Sequence, residues 1–253
     1  APADAGRPAR SNTRTGLGFD EITLLVGAYQ PRKNTRNRSG QPSTGRMGQA
    51  GADLRHYIAE GSWWGVDAVG AAQGGADGYM DLFANACQDW AIGHPSLRLG
   101  AQLGLGLGGG GNVDTGSGWM LRAGPTLRWQ SPWGPSLRLD AGFTRSMSGQ
   151  FSASLLRLGV TMPLDRVPSF GGGMDETGGT VRNQQLFASI QHMPRMRFKD
   201  GSHAAVGHLT ILMTRELSNS IYGVAQAGSA AFGKAGAYSY GLFGLGLQSP
   251  YRA

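Results

Sequence analysis

The stretch Pro95–Gly111, PSLRLGAQLGLGLGGGG, places Leu97, Leu99, Leu103, Leu105 and Leu107 at alternate positions, with Ala101 continuing the row, and puts glycine at most of the positions between. Period two is the period of a β-strand, whose successive side chains point to opposite faces. This strand has one greasy face and almost nothing opposite it. The pattern recurs along the chain. Trp119, Leu121, Ala123, Pro125, Leu127 and Trp129 share a face against Met120, Arg122, Gly124, Thr126 and Arg128, and Leu137, Leu139, Ala141 and Phe143 oppose Arg138, Asp140, Gly142 and Thr144. Leu156, Leu158, Val160 and Met162 alternate with Arg157, Gly159 and Thr161 in the same way.

Dividing the chain at its turn signals predicts about twelve strands, over 20–30, 47–58, 62–72, 76–88, 95–108, 117–130, 135–146, 151–164, 182–196, 203–217, 220–232 and 236–248. Many exceed the usual strand length of a soluble sandwich. Long strands with short connections point to an all-β, closed, antiparallel up-and-down barrel, because closure removes the edges. The expected organisation is a polar N-terminal arm over 1–19 and one barrel domain over 20–253. The segment Pro163–Thr180 fits this least easily, since it becomes a long connection on the side where such barrels keep turns short.

Composition narrows the class. The chain has 253 residues, 43 of them glycine, with 40% hydrophobic and 15% charged residues, and a mean hydropathy of −0.25. No apolar run is long enough for a transmembrane helix, whereas barrel strands alternate and average out in any hydropathy window. Cys87 is the sole cysteine, so no intramolecular disulfide and no cysteine metal cluster can form; a small buried or lipid-facing role is expected for it. No metal or other cofactor is implied. The opening APADAG lacks the apolar core of a signal peptide and suits a mature product. Of the net charge of +7, residues 1–50 supply +5. Arg32, Lys33, Arg36, Arg38 and Arg46 lie among turn formers with no aromatic interleaving, which argues against nucleic acid and for an exposed, flexible loop at Gln30–Arg46.

The arginine and glycine opposite the leucines suit a crowded barrel interior better than a solvated exterior, so the leucines are expected to face lipid. Trp119 and Trp129 share a face ten residues apart, roughly 24 Å along the membrane normal at a strand tilt near 45°. With Trp63, Trp133 and Tyr251, and with Trp64, Trp90, Tyr29 and Tyr79 near other strand ends, they form the expected aromatic girdle.

At this point the chain resembles the bacterial outer-membrane β-barrel class as a whole. Phe243, Leu245, Leu247 and Tyr251 in GLFGLGLQSPYRA approximate the alternating, aromatic-ended last strand of such proteins, although Ser249 interrupts the row and Arg252-Ala253 extend past it. The resemblance implies an outer-membrane location, contact with outer-membrane lipid and delivery by the barrel-insertion machinery.

The polar face concentrates arginine. Hairpin turns near Val113 and Trp133 would set Arg98 beside Arg128 and Arg128 beside Arg138, with Arg122 and Arg157 on the same face. Like charges side by side need carboxylates or a passing anion between them. One reading is an anion-attracting constriction of a passive channel for small solutes, similar to the arginine-lined lumens of some twelve-stranded channels for acidic sugars. The other is a non-conducting structural or assembly barrel, its lumen filled by ion pairs to Asp140, Asp53 or Glu216. An interfacial lipid-modifying enzyme would have to use Ser202, His203 and His208, but neighbours and residues five apart point to opposite faces of a strand, which assembles no catalytic triad.

Overall fold

The computed structural model describes residues 19–43, 45–76, 78–132, 135–164, 166–168, 174–176, 184–198, 201–216, 220–233 and 239–248. All regular structure among them is β. Eight strands form the first unit: β1 (Glu21–Pro31), β2 (Met47–Ala59), β3 (Ser62–Gln73), β4 (Met80–Ile92), β5 (His94–Gly109), β6 (Trp119–Gln130), β7 (Ser136–Ser146) and β8 (Ser152–Pro163). Each pairs antiparallel with the next, and β8 returns to β1 from Glu21↔Pro163 to Pro31↔Ala153, closing the barrel. A short hairpin follows, β9 (Arg166–Pro168) with β10 (Met174–Glu176). The last four strands, β11 (Gln184–Arg197), β12 (His203–Glu216), β13 (Ile221–Gly233) and β14 (Ser239–Leu247), make a separate open sheet.

The twelve long strands occupy the spans expected from alternation, but only eight of them close. The barrel is therefore eight-stranded rather than twelve-stranded, and it ends at Pro163 instead of running to the end of the chain. Alternation marks a strand and its faces, while ring size is set by pairing across the sheet. The segment after Pro163 is consequently a link between two units rather than a turn inside one barrel.

The faces are inverted relative to a soluble barrel. Leu103, Leu105, Leu107, Leu121, Leu137, Leu156 and Leu158 are exposed on the outside, whereas Asp53, Arg55, Asp67, Arg122, Arg138, Asp140 and Arg157 are buried within. Gly100, Gly104, Gly106 and Gly108 of β5 face inward and make room: a Cβ on Gly106 would lie 2.6 Å from Phe83 Cγ, and one on Gly27 of β1 would lie 2.7 Å from Arg157 Cγ. Pro125 falls in mid-strand, where it can donate no ladder hydrogen bond. The β6–β7 ladder skips there between Ala123↔Phe143 and Thr126↔Asp140.

The two ends of the barrel differ. At one end lie the connections 32–46, 74–79, 110–118 and 147–151; at the other lie 60–61, Gly93 and 131–135, together with Asp20 and Leu164, where the chain enters and leaves. At the loop end Tyr29, Met47, Tyr79, Val113, Met120 and Phe151 pack into a buried cluster. The basic loop is exposed at Arg32, Lys33, Arg36 and Arg38 but is not a free tether. Asn37 bridges to Val113, Arg38 N donates to Asn112 O at 3.0 Å, and the buried Thr35 Oγ1 donates to Ser152 O at 2.8 Å.

The four-stranded sheet rests against the outside of β1–β4. Ile211, Met213, Ala225 and Ala227 face Ile22, Ala52, Leu54, Val66 and Ala68 across an apolar cleft of about 450 Å³.

Candidate functional site: the charged lumen

Six arginines and six carboxylates fill the barrel interior: Arg55, Arg98, Arg122, Arg128, Arg138 and Arg157 with Glu21, Asp53, Asp67, Asp81, Asp89 and Asp140. All are buried. The strand registers set Arg98 beside Arg128, Arg128 beside Arg138, and Asp140 beside Arg157. Three like charges in a row persist because each finds its own acid.

At the turn end Arg98 pairs with Asp89 and reaches the rim residue Glu60 at 3.0 Å. Arg128 donates to Glu21 at 2.7 Å and to the Tyr57 hydroxyl, which itself donates to Glu21 at 2.9 Å. Arg55 lies 3.3 Å from Asp53 and 4.0 Å above the Trp63 ring. In the middle, Arg138 holds both oxygens of Asp140 at 2.6 Å and also meets Asp53. Arg157 bridges Asp140 and Asp67, each at 3.3 Å.

Arg122 is the arginine held from the most directions near the loop end. Its Nη1 donates to Asp67 at 2.7 Å, its Nη2 donates to Asp81 at 3.0 Å and to the Tyr29 hydroxyl at 2.7 Å, and its guanidinium lies 3.7 Å over the Phe83 ring. Beyond it the aromatic cluster seals the loop end. The lumen is thus charge-matched along its length and capped by apolar side chains. Buried charges are tolerated when paired and hydrogen-bonded, and costly otherwise.

Several expected positions differ. Trp63 points into the lumen at 2% exposure, and its neighbour Trp64, 40% exposed, faces outward instead. Period two allows only one of two adjacent residues outside, and stacking under Arg55 fixes which. Tyr29 and Tyr79 also lie inside. The outward tryptophans are Trp64, Trp90 and Trp129 toward the turn end and Trp119 at the loop end. Trp133 and Tyr251 lie outside the described residues. Glu216 is no lumen counter-charge: it sits on β12 of the separate sheet, where it accepts from Gln248 Nε2 at 2.9 Å. The acids that do the neutralising include Glu21, Asp67, Asp81 and Asp89, which sequence reasoning missed. Parity would have found them, since Asp81, Phe83, Asn85, Cys87 and Asp89 alternate along β4 opposite Leu82 and Trp90.

Ser202 and His203 are exposed at the start of β12, and His208 is buried on it. A serine and histidine also meet at His94 and Ser96, with Nδ1 2.8 Å from Oγ, but that same nitrogen accepts the backbone N–H of Ser96 at 3.1 Å, a local turn closure. Among the described residues no histidine, cysteine and carboxylate cluster could hold a metal ion.

No protein-family model matches the chain, and no curated protein matches it. Among solved structures it is similar to the N-terminal β-barrel domain of Pseudomonas aeruginosa OprF at 9% identity, over 57% of this chain and 99% of that one, with a TM-score of 0.37. A likeness of that size carries no argument about function, and the fold stands on the strand pairing above.

Proposed function

We propose that the chain is an integral protein of a bacterial outer membrane whose eight-stranded barrel spans the bilayer with a closed lumen, serving as a structural or anchoring barrel rather than a pore. The observation that carries this reading is the inversion of polarity: leucine and tryptophan outside, matched ion pairs inside. Water would penalise that exterior, whereas lipid suits it. An eight-stranded barrel is also narrow enough for side chains to fill it. In this orientation the short turns and both chain passages face the periplasm and the longer loops, including the basic one, face outward. Outer-membrane lipid is the first partner, and the barrel-insertion machinery is the expected route of entry.

The anion-channel reading needs arginines free to attract a solute, and each lumen arginine here has a carboxylate within ion-pair distance. Planar-bilayer recording separates the two. The expected result is insertion without ohmic conductance; discrete anion-selective steps that disappear in Arg128→Gln/Arg138→Gln would establish the channel instead.

A further inference from the structure

The open sheet repeats the first half of the barrel. Its numbers differ from those of β2, β3 and β4 by a constant 159, as in 221 minus 62 and 247 minus 88. That shift carries Ser62↔Gln88, Asp67↔Phe83 and Gly70↔Met80 onto Ile221↔Leu247, Gln226↔Leu242 and Ser229↔Ser239. It likewise carries Ala50↔Gly70, Arg55↔Gly65 and Tyr57↔Trp63 onto Leu209↔Ser229, Thr214↔Val224 and Glu216↔Tyr222. β1 matches β11 with a shift of 164 (185 minus 21), Glu21↔Arg55 becoming Gln185↔Thr214 and Leu25↔Gly51 becoming Ser189↔Thr210. The five-residue difference falls in the shorter β11–β12 connection. The sequences agree over corresponding stretches: AVGAAQGGADGY (68–79) and AGSAAFGKAGAY (227–238) are identical at six of twelve positions.

What the repeat changes is its inner face. β1–β4 carry Glu21, Asp53, Asp67, Asp81 and Asp89 against Arg55 alone, a charge of −4, and β5–β8 answer with Arg98, Arg122, Arg128, Arg138 and Arg157 against Asp140, a charge of +4. At the equivalent positions of the repeat stand Gln185, Leu212, Gln226, Tyr240 and Gln248, with Thr214 for Arg55. One carboxylate remains, Glu216 in the place of Tyr57, held by Gln248. Tyr240 gathers the face, 3.2 Å from Thr210 Oγ1 and 3.1 Å from Gln226 Nε2. The wall mixes amides and hydroxyls, which both donate and accept, with His208 and the apolar Phe187, Leu212 and Leu242, and such a surface complements a second wall like itself. It has no use for the basic half that its counterpart needs.

No described strand pairs with the outer edges of β11 and β14. Within a bilayer, sheet edges have to be paired. With an even number of antiparallel strands, β14 of one chain meets β11 of another antiparallel, and equal registers mean equal stagger and hence equal ring size. We propose that two chains join their β11–β14 walls edge to edge into a shared eight-stranded barrel, flanked on either side by each chain's own β1–β8 barrel. This rests on the reading that the outer faces meet lipid.

Cysteine cross-linking of the full chain in vesicles tests it. In a Cys87→Ala background, Leu242→Cys on β14 is combined in turn with cysteine at Gln185, Phe187, Ser189 and Gln191 on β11. Three strand spacings of about 4.8 Å separate β11 from β14 within one sheet, too far for a disulfide, which needs Cα atoms within about 7 Å. Any such bond therefore joins two chains. The expected result is one pair oxidising to a covalent dimer without higher products, beside a dimeric mass for the unmodified chain in detergent. A ladder, a trimer, or a monomeric mass with every pair uncrosslinked would overturn the proposal; if a variant misfolds, the unmodified chain's mass decides alone. Failure to enter vesicles would instead count against the membrane reading.

Discussion

The closed barrel and the open sheet are built from the same alternating strands in the same registers, yet one completes itself and the other does not. Their outer faces are alike, both apolar, and meet across the cleft where Ala68 and its counterpart Ala227 lie. Their inner faces are not. In the barrel an acidic half meets a basic half, each arginine satisfied by a carboxylate from across the lumen, from a neighbouring strand or along its own strand, while the sheet replaces those charges by neutral side chains, mostly amides and hydroxyls. Outer alternation gives a strand its place in a membrane wall. The inner face decides which wall it can close against.

The largest effect that would sharpen this contrast is expected at Arg122. Replacing it with alanine leaves Asp67 and Asp81 buried without their shared partner, and the loss should be about 3–5 kcal/mol, read from denaturant unfolding in detergent or vesicles. The corresponding wall of the sheet should be far more forgiving, with Gln226→Ala costing on the order of 0.5–1.5 kcal/mol, the worth of a neutral hydrogen bond. Equal costs at the two sites would break the comparison.

On the outer face, Leu103 is 69% exposed midway along β5. Leu103→Arg should destabilise the inserted protein by roughly 2–4 kcal/mol, as expected for a cation near the bilayer midplane. A neutral outcome would mean that this face meets water. The smallest effect concerns the connection where barrel and sheet diverge in length. Thr35→Val removes the hydroxyl that ties the basic loop to Ser152, which eases local opening of that loop rather than unfolding of the barrel. Trypsin should then cut at Arg36 or Arg38 faster, with barrel stability little altered.

Much of this was legible in the sequence. The Leu-Gly alternation of 95–108 anticipates β5 at His94–Gly109, and the turn positions anticipate the arginine neighbours Arg98, Arg128 and Arg138, because local spacing fixes both. Closure was not legible, since it rests on the pairing of β8 with β1, from Glu21↔Pro163 to Pro31↔Ala153, between segments far apart in the chain. Trp63 and Trp64 show a second limit. The pair marks a strand end where both rings suit an interface, and the choice between them rests on the rest of the strand: Trp63 shares a face with the buried Asp67, and Trp64 shares the other with Val66 and Ala68. The repeat was hidden for a different reason: the substitutions that make the second wall neutral erase identity at the positions that define the first.

The central claim is that the lumen is closed by its own side chains, and the native cysteine reports on it directly. Cys87 points inward on β4 at 7% exposure, against Tyr57 and Trp63. Unmodified protein in vesicles can be exposed from both sides to a small, negatively charged methanethiosulfonate. The thiol should remain unlabelled until the protein is unfolded and then react fully. Rapid labelling of Cys87 in the folded, membrane-inserted protein would mean that an anion travels past Arg98 or Arg122 to reach it, and the closed-lumen account would be wrong.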